Sequence, residues 1–304
     1  MKSEHHNPTA RTPDGSYVDR LIEFNRGRTA TRLKASEPAR VESVAVVGAG
    51  VMGQAIAAVT AGHGLATAIT DMSDRVLEVA RRDLLDELPG GAKSLLQTTQ
   101  DLDQIGQCDL IVESVVESVE AKKALFRILE PHLSPDAILA SNTSTIPVSE
   151  LASGLRDPSR LCGIHFFHPA RRRRLVEIIA APRTSDRTLR TAVAYAEIIH
   201  KVPLIVPDGP GFLVNRLLMP YLGEALVLLQ EGVSIERIER VATESGAPWG
   251  PFTAMDEIGL DTVFQSGMVL GRAFGDVVPS SPLLVFMIKA RRLGCKTKAG
   301  FFGY

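Results

Sequence analysis

The segment Val44–Gly53 constrains the fold of this chain more than any other part of the sequence. Its four consecutive apolar residues, Val44–Val47, are typical of a strand buried on both faces of a parallel sheet. The loop Gly48-Ala49-Gly50-Val51-Met52-Gly53 follows at once, and the small residues of Ala55–Ala61 favour a helix after it. A glycine loop between a buried strand and a helix predicts the first βαβ unit of a Rossmann-type sheet.

The spacing of the three glycines indicates a phosphate-binding loop. Gly48 permits a tight turn, Gly50 lets the backbone approach a pyrophosphate, and Gly53 lets helix and strand pack closely. The helix would begin with the amides of Val51 and Met52, which can donate to phosphate oxygens. The loop therefore predicts a bound dinucleotide, and a glycine turn that binds nothing is the alternative.

Asp71 follows the second predicted strand, Ala66–Thr70, and bears on the choice of dinucleotide. A carboxylate there accepts hydrogen bonds from the adenosine ribose and repels a 2′-phosphate, which favours NAD. Arg75 lies one helical turn further on and could hold such a phosphate, so NADP stays open as the alternative.

Strand and helix patterns alternate as far as Pro210, and only helical patterns follow it. Further strands are predicted at Leu110–Val112, Ile138–Ala140, Leu161–Phe167, Val176–Ile179 and Leu204–Val206, with helices at Asp74–Leu88, Glu120–Leu133 and Thr188–Ile199. The later helices are predicted at Gly211–Gln230, Ser234–Thr243, Pro251–Phe274 and Pro282–Leu293, the last with a Ser281–Pro282 start and a Gly294 stop. The predicted fold class is α/β, a Rossmann-type doubly wound, mainly parallel sheet followed by an all-helical C-terminal domain.

Three segments follow from these patterns. Residues 1–40 are polar and rich in Arg, Thr, Pro and Glu, which predicts an N-terminal extension with one amphipathic stretch, Tyr17–Phe24. Residues 41–208 are predicted to form the NAD-binding domain, and residues 209–304 the helical domain.

Composition excludes several function classes. A formal net charge of −1 gives no overall field that would recruit nucleic acid or an acidic membrane, and no apolar stretch is long enough to span a bilayer. The 3 cysteines fit neither a disulfide framework nor a zinc motif, so no metal is expected. With no signal peptide visible, this cysteine usage favours the reducing cytoplasm.

Further motifs accompany the glycine loop in a fixed order. They are Val112–Glu117, Ala140–Ser144, His165–Pro169 with Leu175–Glu177, Asp208–Arg216, Gly250–Phe252 and Asp256–Asp261. In this order and at these separations, the chain resembles the 3-hydroxyacyl-CoA dehydrogenases from Val44 to Tyr304. The resemblance implies an NAD-dependent oxidoreductase that interconverts a 3-hydroxyacyl thioester and its 3-oxoacyl thioester by hydride transfer.

The resemblance also implies roles for four residues in catalysis. His165 matches the histidine that takes the proton from the 3-hydroxyl, and Glu177 matches the carboxylate that orients its imidazole. Ser144 and Asn215 match the polar pair that holds the substrate oxygens. Taken singly, a histidine or a glutamate in an apolar strand is more often a core residue with its hydrogen bonds satisfied.

Three more residues match positions at the cofactor. Glu117 and Lys122 match contacts to the nicotinamide end, and Asn142 lies in the motif between them and His165. Relatives in this family generally pair through the helical domain, so the resemblance also implies a homodimer, with apolar helices such as Leu217–Leu229 at the interface.

The sequence departs from the family pattern at three places. Between Asp71 and Leu110 it has one predicted helix and a Pro-Gly-Gly turn, where the typical member has a longer helical hairpin that helps to cover coenzyme A. His168 replaces the usual asparagine. The run Arg171-Arg172-Arg173-Arg174 replaces a mostly apolar loop, and four guanidinium groups indicate an anionic partner at the rim of the site.

That partner is either the phosphates of coenzyme A or the acidic surface of an acyl carrier protein. An acyl carrier protein as the partner would mean that the substrate is a short hydroxyacyl group, such as glyceryl, tethered to its carrier in secondary metabolism. The alternative is that the four arginines form a solvated basic loop that binds no specific partner. A dehydrogenase of free hydroxy acids or sugar acids is a further alternative, in which the arginines would bind a free carboxylate.

Overall fold

The computed structural model describes residues 20, 22–27, 29, 33, 40–275 and 281–304. Most of the predicted N-terminal extension lies outside the described residues, including Tyr17–Asp19 and Leu21 of the predicted amphipathic stretch. The main body of the chain divides into two structural units, Asn25–Leu213 and Val214–Tyr304.

The first unit contains a sheet of eight strands. In chain order these are β1 (Ser43–Val47), β2 (Ala66–Thr70), β3 (Leu96–Thr98), β4 (Leu110–Glu113), β5 (Ile138–Ser141), β6 (Leu161–Phe166), β7 (Leu175–Ala180) and β8 (Val202–Pro207). Their order across the sheet is β3-β2-β1-β4-β5-β6-β7-β8. Every neighbouring pair is parallel except β6 and β7, which are antiparallel. The predicted mainly parallel sheet is confirmed.

Helices accompany the strands of this unit. They are α1 (Val51–Gly62), α2 (Asp74–Glu87), α3 (Gly90–Lys93), α4 (Leu102–Gly106), α5 (Val119–Leu129), α6 (Val148–Ala152) and α7 (Asp186–Ile198), with 3₁₀ turns at Glu130–His132 and Pro158–Arg160. Along β1, Val44 and Val46 belong to one apolar core, and Ala45 and Val47 belong to another. Both faces of the strand are therefore buried, as the continuous apolar run predicts.

The second unit is built from helices. They are α8 (Val214–Gln230), α9 (Ile235–Glu244), α10 (Pro251–Ile258), α11 (Leu260–Phe274) and α12 (Pro282–Lys289), with a 3₁₀ turn at Cys295–Thr297. The predicted helical C-terminal domain is confirmed. Serine side chains cap α9 and α12, since Ser234 and Ser281 accept from the backbone amides of Arg237 and Leu283.

Three local predictions were wrong. The predicted single helix Pro251–Phe274 is two helices, because Gly259 adopts a φ of 98° between them. The last helix ends at Lys289 and not at the predicted Gly294 stop, since the chain turns at Arg291 with a φ of 56°. The Pro-Gly-Gly segment also contains the short helix α3 and not a turn alone.

Candidate active site

The strand order creates a crevice at the carboxyl edge of the sheet. β1 lies between β2 and β4, so the connections that leave β1 and β4 diverge at this edge. In doubly wound sheets a dinucleotide binds in the crevice formed at such a reversal of strand order. The glycine loop follows β1, and Ser114 and Val115 follow β4.

The three glycines of the loop differ in the atoms that an added Cβ would meet. A Cβ on Gly48, whose φ is 103°, would lie 2.5 Å from the carbonyl oxygen of Ser114. A Cβ on Gly53 would lie 1.8 Å from the carbonyl oxygen of Gly48. A Cβ on Gly50 would meet no atom within 4 Å. The protein's own backbone therefore requires the first and third glycines, whereas the space at Gly50 suits a ligand.

The amino end of α1 is also suited to a phosphate. Gly50 caps it without a side-chain hydrogen bond, whereas Ser73, Ser118 and Ser185 cap α2, α5 and α7 through their hydroxyls. No acidic residue lies in the first turn of α1. Because the first amides of a helix have no partner within it, those of α1 suit a pyrophosphate. Loop and helix together fit a bound dinucleotide.

Asp71 holds the glycine loop from the neighbouring strand. One carboxylate oxygen accepts from the Ala49 amide at 2.9 Å, and the other accepts from the Ser73 amide at 2.9 Å. A carboxylate oxygen can accept more than one hydrogen bond, so both oxygens can also take ribose hydroxyls. The side chain therefore fits the adenosine end of NAD while it fixes the loop.

Glu113, the last residue of β4, is fully buried and accepts three hydrogen bonds. Its Oε1 accepts from the Val115 amide at 2.7 Å and from Lys122 Nζ at 2.6 Å, and its Oε2 accepts from Ser141 Oγ at 2.6 Å. Lys122 is 1% exposed, and its Nζ lies 3.4 Å from Glu117 Oε2. The ammonium group thus lies between two carboxylates.

Glu117 organises the turn that follows β5. Its Oε1 accepts from Thr143 Oγ1 at 2.7 Å and from the amides of Ser144 and Thr145 at 2.9 and 3.2 Å. Asn142 in the same turn accepts from the Phe166 amide at 3.0 Å through its side-chain oxygen. The turn is thereby held to the loop after β4 and to the end of β6.

His165 and Glu177 are directly opposite each other on β6 and β7. His165 Nδ1 and Glu177 Oε2 are 2.7 Å apart, and both side chains are buried. The other oxygen of Glu177 accepts from the Leu213 amide at 3.0 Å. The imidazole packs against the rings of Phe167 and Phe212, at centroid distances of 4.5 and 5.8 Å. Since Nδ1 faces the carboxylate, Nε2 is the nitrogen left to act on a substrate.

The four arginines lie in the loop between β6 and β7. Arg171 forms an ion pair with Glu87 at the end of α2. Lys201 is 6% exposed, and its Nζ donates to the carbonyl oxygens of Ala170 and Arg173 at 2.6 and 2.9 Å. Burial lowers the pKa of Lys201. The loop is therefore anchored at both ends, and three of its arginines, Arg171, Arg172 and Arg174, are exposed.

The last two predicted site residues are His168 and Asn215. His168 is exposed and precedes Pro169 through a cis peptide bond. Asn215 is 8% exposed in the first turn of α8, in the helical unit.

Sequence reasoning gave no role to three residues that organise the site, Glu113, Ser141 and Lys201. A sequence signal exists for Glu113, because an acidic residue that ends an apolar strand needs a buried partner. Lys201 carries a similar signal, as it lies between the helix that ends at Ile198 and the apolar strand β8.

Comparison with known proteins supports the resemblance. The model of the 3-hydroxyacyl-CoA dehydrogenase NAD-binding domain matches residues 43–209, and that of the C-terminal domain matches residues 211–304. FadB2 of M. tuberculosis is 31% identical with a TM-score of 0.83, over 88% of this chain and 100% of its own.

Two further solved structures are similar. The (S)-3-hydroxybutyryl-CoA dehydrogenase PaaH1 from Ralstonia eutropha is 31% identical with a TM-score of 0.80, over 87% of this chain and 99% of its own. A diketoreductase of dicarbonyl compounds is 26% identical with a TM-score of 0.76, over 88% of this chain and 100% of its own. This chain is an NAD-dependent dehydrogenase that acts on a hydroxyacyl CH–OH group, and it belongs to the 3-hydroxyacyl-CoA dehydrogenase family.

Proposed function

We propose that this enzyme oxidises a 3-hydroxyacyl thioester to the 3-oxoacyl thioester with His165 as the general base. The observation that carries the proposal is the buried His165–Glu177 pair, in which Nδ1 and Oε2 are 2.7 Å apart. A buried carboxylate on one ring nitrogen fixes the tautomer and stabilises the imidazolium that forms when the other nitrogen takes a proton.

His165 would accept the proton of the 3-hydroxyl at Nε2 as the C3–H bond breaks. Bound NAD supplies the acceptor for the hydride that leaves C3. Glu177 cannot turn away from the imidazole without losing the Leu213 amide as well, because its two oxygens accept from different partners. We assign Ser144 and Asn215 to the substrate oxygens, where hydroxyl and amide donors would orient the thioester.

We assign the cofactor to residues 41–208 and the substrate and pairing functions to the helical domain, residues 209–304. In the first of these, the amides of Val51 and Met52, with the glycines at 48, 50 and 53, would hold the pyrophosphate, and Asp71 the adenosine ribose. Glu117, Lys122 and Asn142 would line the nicotinamide end. Glu117 and Asn142 follow the carboxyl ends of β4 and β5, and Lys122 Nζ, on α5, lies 3.4 Å from Glu117 Oε2.

A second candidate substrate is a short hydroxyacyl group, such as glyceryl, on an acyl carrier protein. It is favoured by the anchored basic loop, in which Lys201 and the Arg171–Glu87 pair fix the backbone while Arg172 and Arg174 are exposed. Guanidinium groups on a fixed backbone suit an anionic partner because less loop freedom is lost on binding. The same groups would serve the phosphates of coenzyme A.

The deciding experiment follows NADH absorbance with two thioesters of matched acyl group, 3-hydroxybutyryl-CoA and 3-hydroxybutyryl carrier protein, and with glyceryl carrier protein. NADP replaces NAD in parallel, and His165→Ala is the inactive control. A higher kcat/KM with the CoA thioester supports the main proposal, and a higher value with a carrier-bound group supports the second. Turnover of free hydroxy acids alone would contradict both, an outcome to be included because a related diketoreductase acts on dicarbonyl compounds.

The basic loop is tested in the same assay. The variant Arg172→Ala/Arg174→Ala should raise KM for the thioester that is used and should not change KM for NAD. Arg240→Ala is the matched control, since Arg240 is an exposed arginine of the helical unit. Equal KM values in the two variants would mean that the loop is solvated and binds no partner.

We further propose a cytoplasmic homodimer. Three free cysteines, two of them buried, suit a reducing compartment. Large apolar side chains are exposed on the helical unit, among them Leu217 and Phe286. In the described part of the chain, no helix combines the length and the apolar character needed to cross a membrane.

A further inference from the structure

Glu113 lies beneath the part of the crevice that the nicotinamide end of NAD would occupy. It ends β4, next to β1 with its glycine loop on one side and β5 on the other. A dinucleotide whose pyrophosphate lies on the loop after β1 extends its second nucleoside over the strands on the far side of the crevice. Those strands are β4 and β5, and they lead towards His165 on β6.

The contacts of Glu113 join three segments at this place. Its carboxylate accepts from the loop after β4 through Val115, from β5 through Ser141, and from α5 through Lys122. Lys122 in turn lies 3.4 Å from Glu117, which holds the turn that contains Ser144. Removal of the Glu113 charge would therefore leave the buried ammonium with Glu117 as its nearby carboxylate.

The charges of this cluster do not cancel. Two carboxylates, Glu113 and Glu117, surround one ammonium, Lys122, so the cluster carries one net negative charge. The ion pair with Glu113, at 2.6 Å, is shorter than the contact with Glu117, at 3.4 Å. Lys122 and Glu113 are buried, whereas the Glu117 side chain is 36% exposed, so the uncompensated charge lies on the exposed carboxylate.

We propose that Glu113 is a positioning residue that keeps the Lys122 ammonium nearer to itself than to Glu117 and so leaves a negative charge facing the nicotinamide. The ring of NAD is positively charged in its oxidised form and neutral in NADH. A carboxylate close to the ring therefore favours the oxidised cofactor over the reduced one. Glu113 thereby biases the bound cofactor towards the form that oxidises a hydroxyacyl group.

The test measures the dissociation constants of both cofactor forms without any acyl substrate. NADH binding is followed by its fluorescence, and NAD binding by calorimetry. Glu113→Gln keeps the shape of the side chain but neutralises the cluster, because Lys122 then compensates Glu117. The ratio of the NADH constant to the NAD constant should fall by at least about tenfold, as expected for a unit charge within about 12 Å of the ring at an effective dielectric of about 20.

Two further variants separate charge from folding. Glu113→Gln/Lys122→Met restores one negative charge on Glu117, so the ratio should return to within about twofold of the wild-type value. Glu117→Gln neutralises the cluster at its exposed member and should lower the ratio as Glu113→Gln does. If Glu113→Gln fails to fold, the ratio of dissociation constants measured for Glu117→Gln tests the proposal in its place.

The matched control is Glu239→Gln. Like Glu113, Glu239 is a carboxylate that accepts from a backbone amide, since it accepts from the amides of Phe252 and Thr253 in the helical unit. Both dissociation constants should be unchanged in this variant. If Glu113→Gln or Glu117→Gln weakens both cofactor forms equally, the cluster serves folding alone and the proposal is overturned. Because no acyl substrate enters the assay, this outcome is independent of the proposed thioester.

Discussion

The sheet itself sets the geometry of the His165–Glu177 pair. Residues directly opposite on antiparallel strands have Cβ atoms about 4.5–5.5 Å apart, so the register between β6 and β7 brings the two side chains together. Phe167 and Phe212 pack against the imidazole and restrict its rotation. The proposed base is therefore held by strand pairing and ring packing and not by a mobile loop.

Replacement of Glu177 tests this arrangement. Glu177→Gln keeps an oxygen for the Leu213 amide but removes the charge that would stabilise the imidazolium. We expect kcat to fall by about 10²–10³-fold, within the range of general-base contributions, with little change in the dissociation constant of NADH. The measurement is steady-state kinetics with a thermal melt beside it. A kcat within threefold of wild type would contradict the assigned role.

The cysteines give a second prediction at this scale. Burial raises the pKa of Cys162 to about 12 and the pKa of Cys108 to about 11. Since the thiolate is the reactive form, fewer than about one in a thousand of either thiol is reactive at pH 8. Cys295, which is partly exposed, also has a raised pKa because of burial.

Titration with Ellman's reagent at pH 8 should therefore detect at most one slowly reacting thiol in the native protein. All three should react after unfolding in urea. Rapid reaction of two or more thiols in the native protein would contradict the burial of Cys108 and Cys162. Cys295→Ser is the control, and it should remove the slow native reaction.

At the scale of elements, the glycine loop separates the requirements of the fold from those of the cofactor. Gly53→Ala places a methyl group against the Gly48 carbonyl and should destabilise the protein by more than about 2 kcal/mol. Gly50→Ala meets no protein atom, so its melting temperature should stay within about 2 °C of wild type. Its dissociation constant for NAD should nevertheless rise by at least about tenfold, because the methyl group occupies the approach of the pyrophosphate.

Thermal melts and calorimetric NAD titrations of both variants check this prediction. Gly62→Ala serves as the control, since Gly62 also has no atom near its Cβ position but lies at the far end of α1. Unchanged NAD affinity in Gly50→Ala would mean that the phosphates do not approach this glycine.

The elements that the sequence predicted are those with continuous apolar runs. The strands near Leu110, Ile138, Leu161 and Val176 were predicted to within one or two residues, because buried parallel strands need apolar residues on both faces. The edge strand β3 was missed, since Leu96 is its one apolar residue. The break at Gly259 was missed because both flanking helices keep an apolar pattern.

The candidate site was predicted in part for a related reason. The motifs identify His165 and Glu177 as a pair, whereas either residue alone in an apolar strand is more often a core residue with its hydrogen bonds satisfied. The role of Glu113 was not predicted, since it depends on which donors the register of β4 and β5 brings together. Hydrogen bonds between distant segments are set by the tertiary structure and leave only a weak pattern in the sequence.

At the scale of the whole molecule, the helical unit carries an apolar surface with a cavity of about 610 Å³. The cavity is lined mainly by apolar side chains of α8, α11 and α12, among them Leu222, Val263 and Leu284. Phe286 at its edge is 67% exposed, and Leu217 on α8 is 68% exposed. Exposed apolar surface of this kind is more often covered by a partner than left in water.

We expect the wild-type protein to be a dimer whose interface contains this surface. Phe286→Asp and Leu217→Asp would each bury a charge in an apolar interface, and the combined variant should be a monomer at micromolar concentration. Size-exclusion chromatography with light scattering gives the mass in each case. Ile128→Asp is the matched control, because Ile128 is 53% exposed on the other unit, and it should leave the mass unchanged. A monomeric wild-type protein, or a double variant that stays dimeric, would show that this surface does not pair two copies, and the apolar cavity would then be free to bind another occupant.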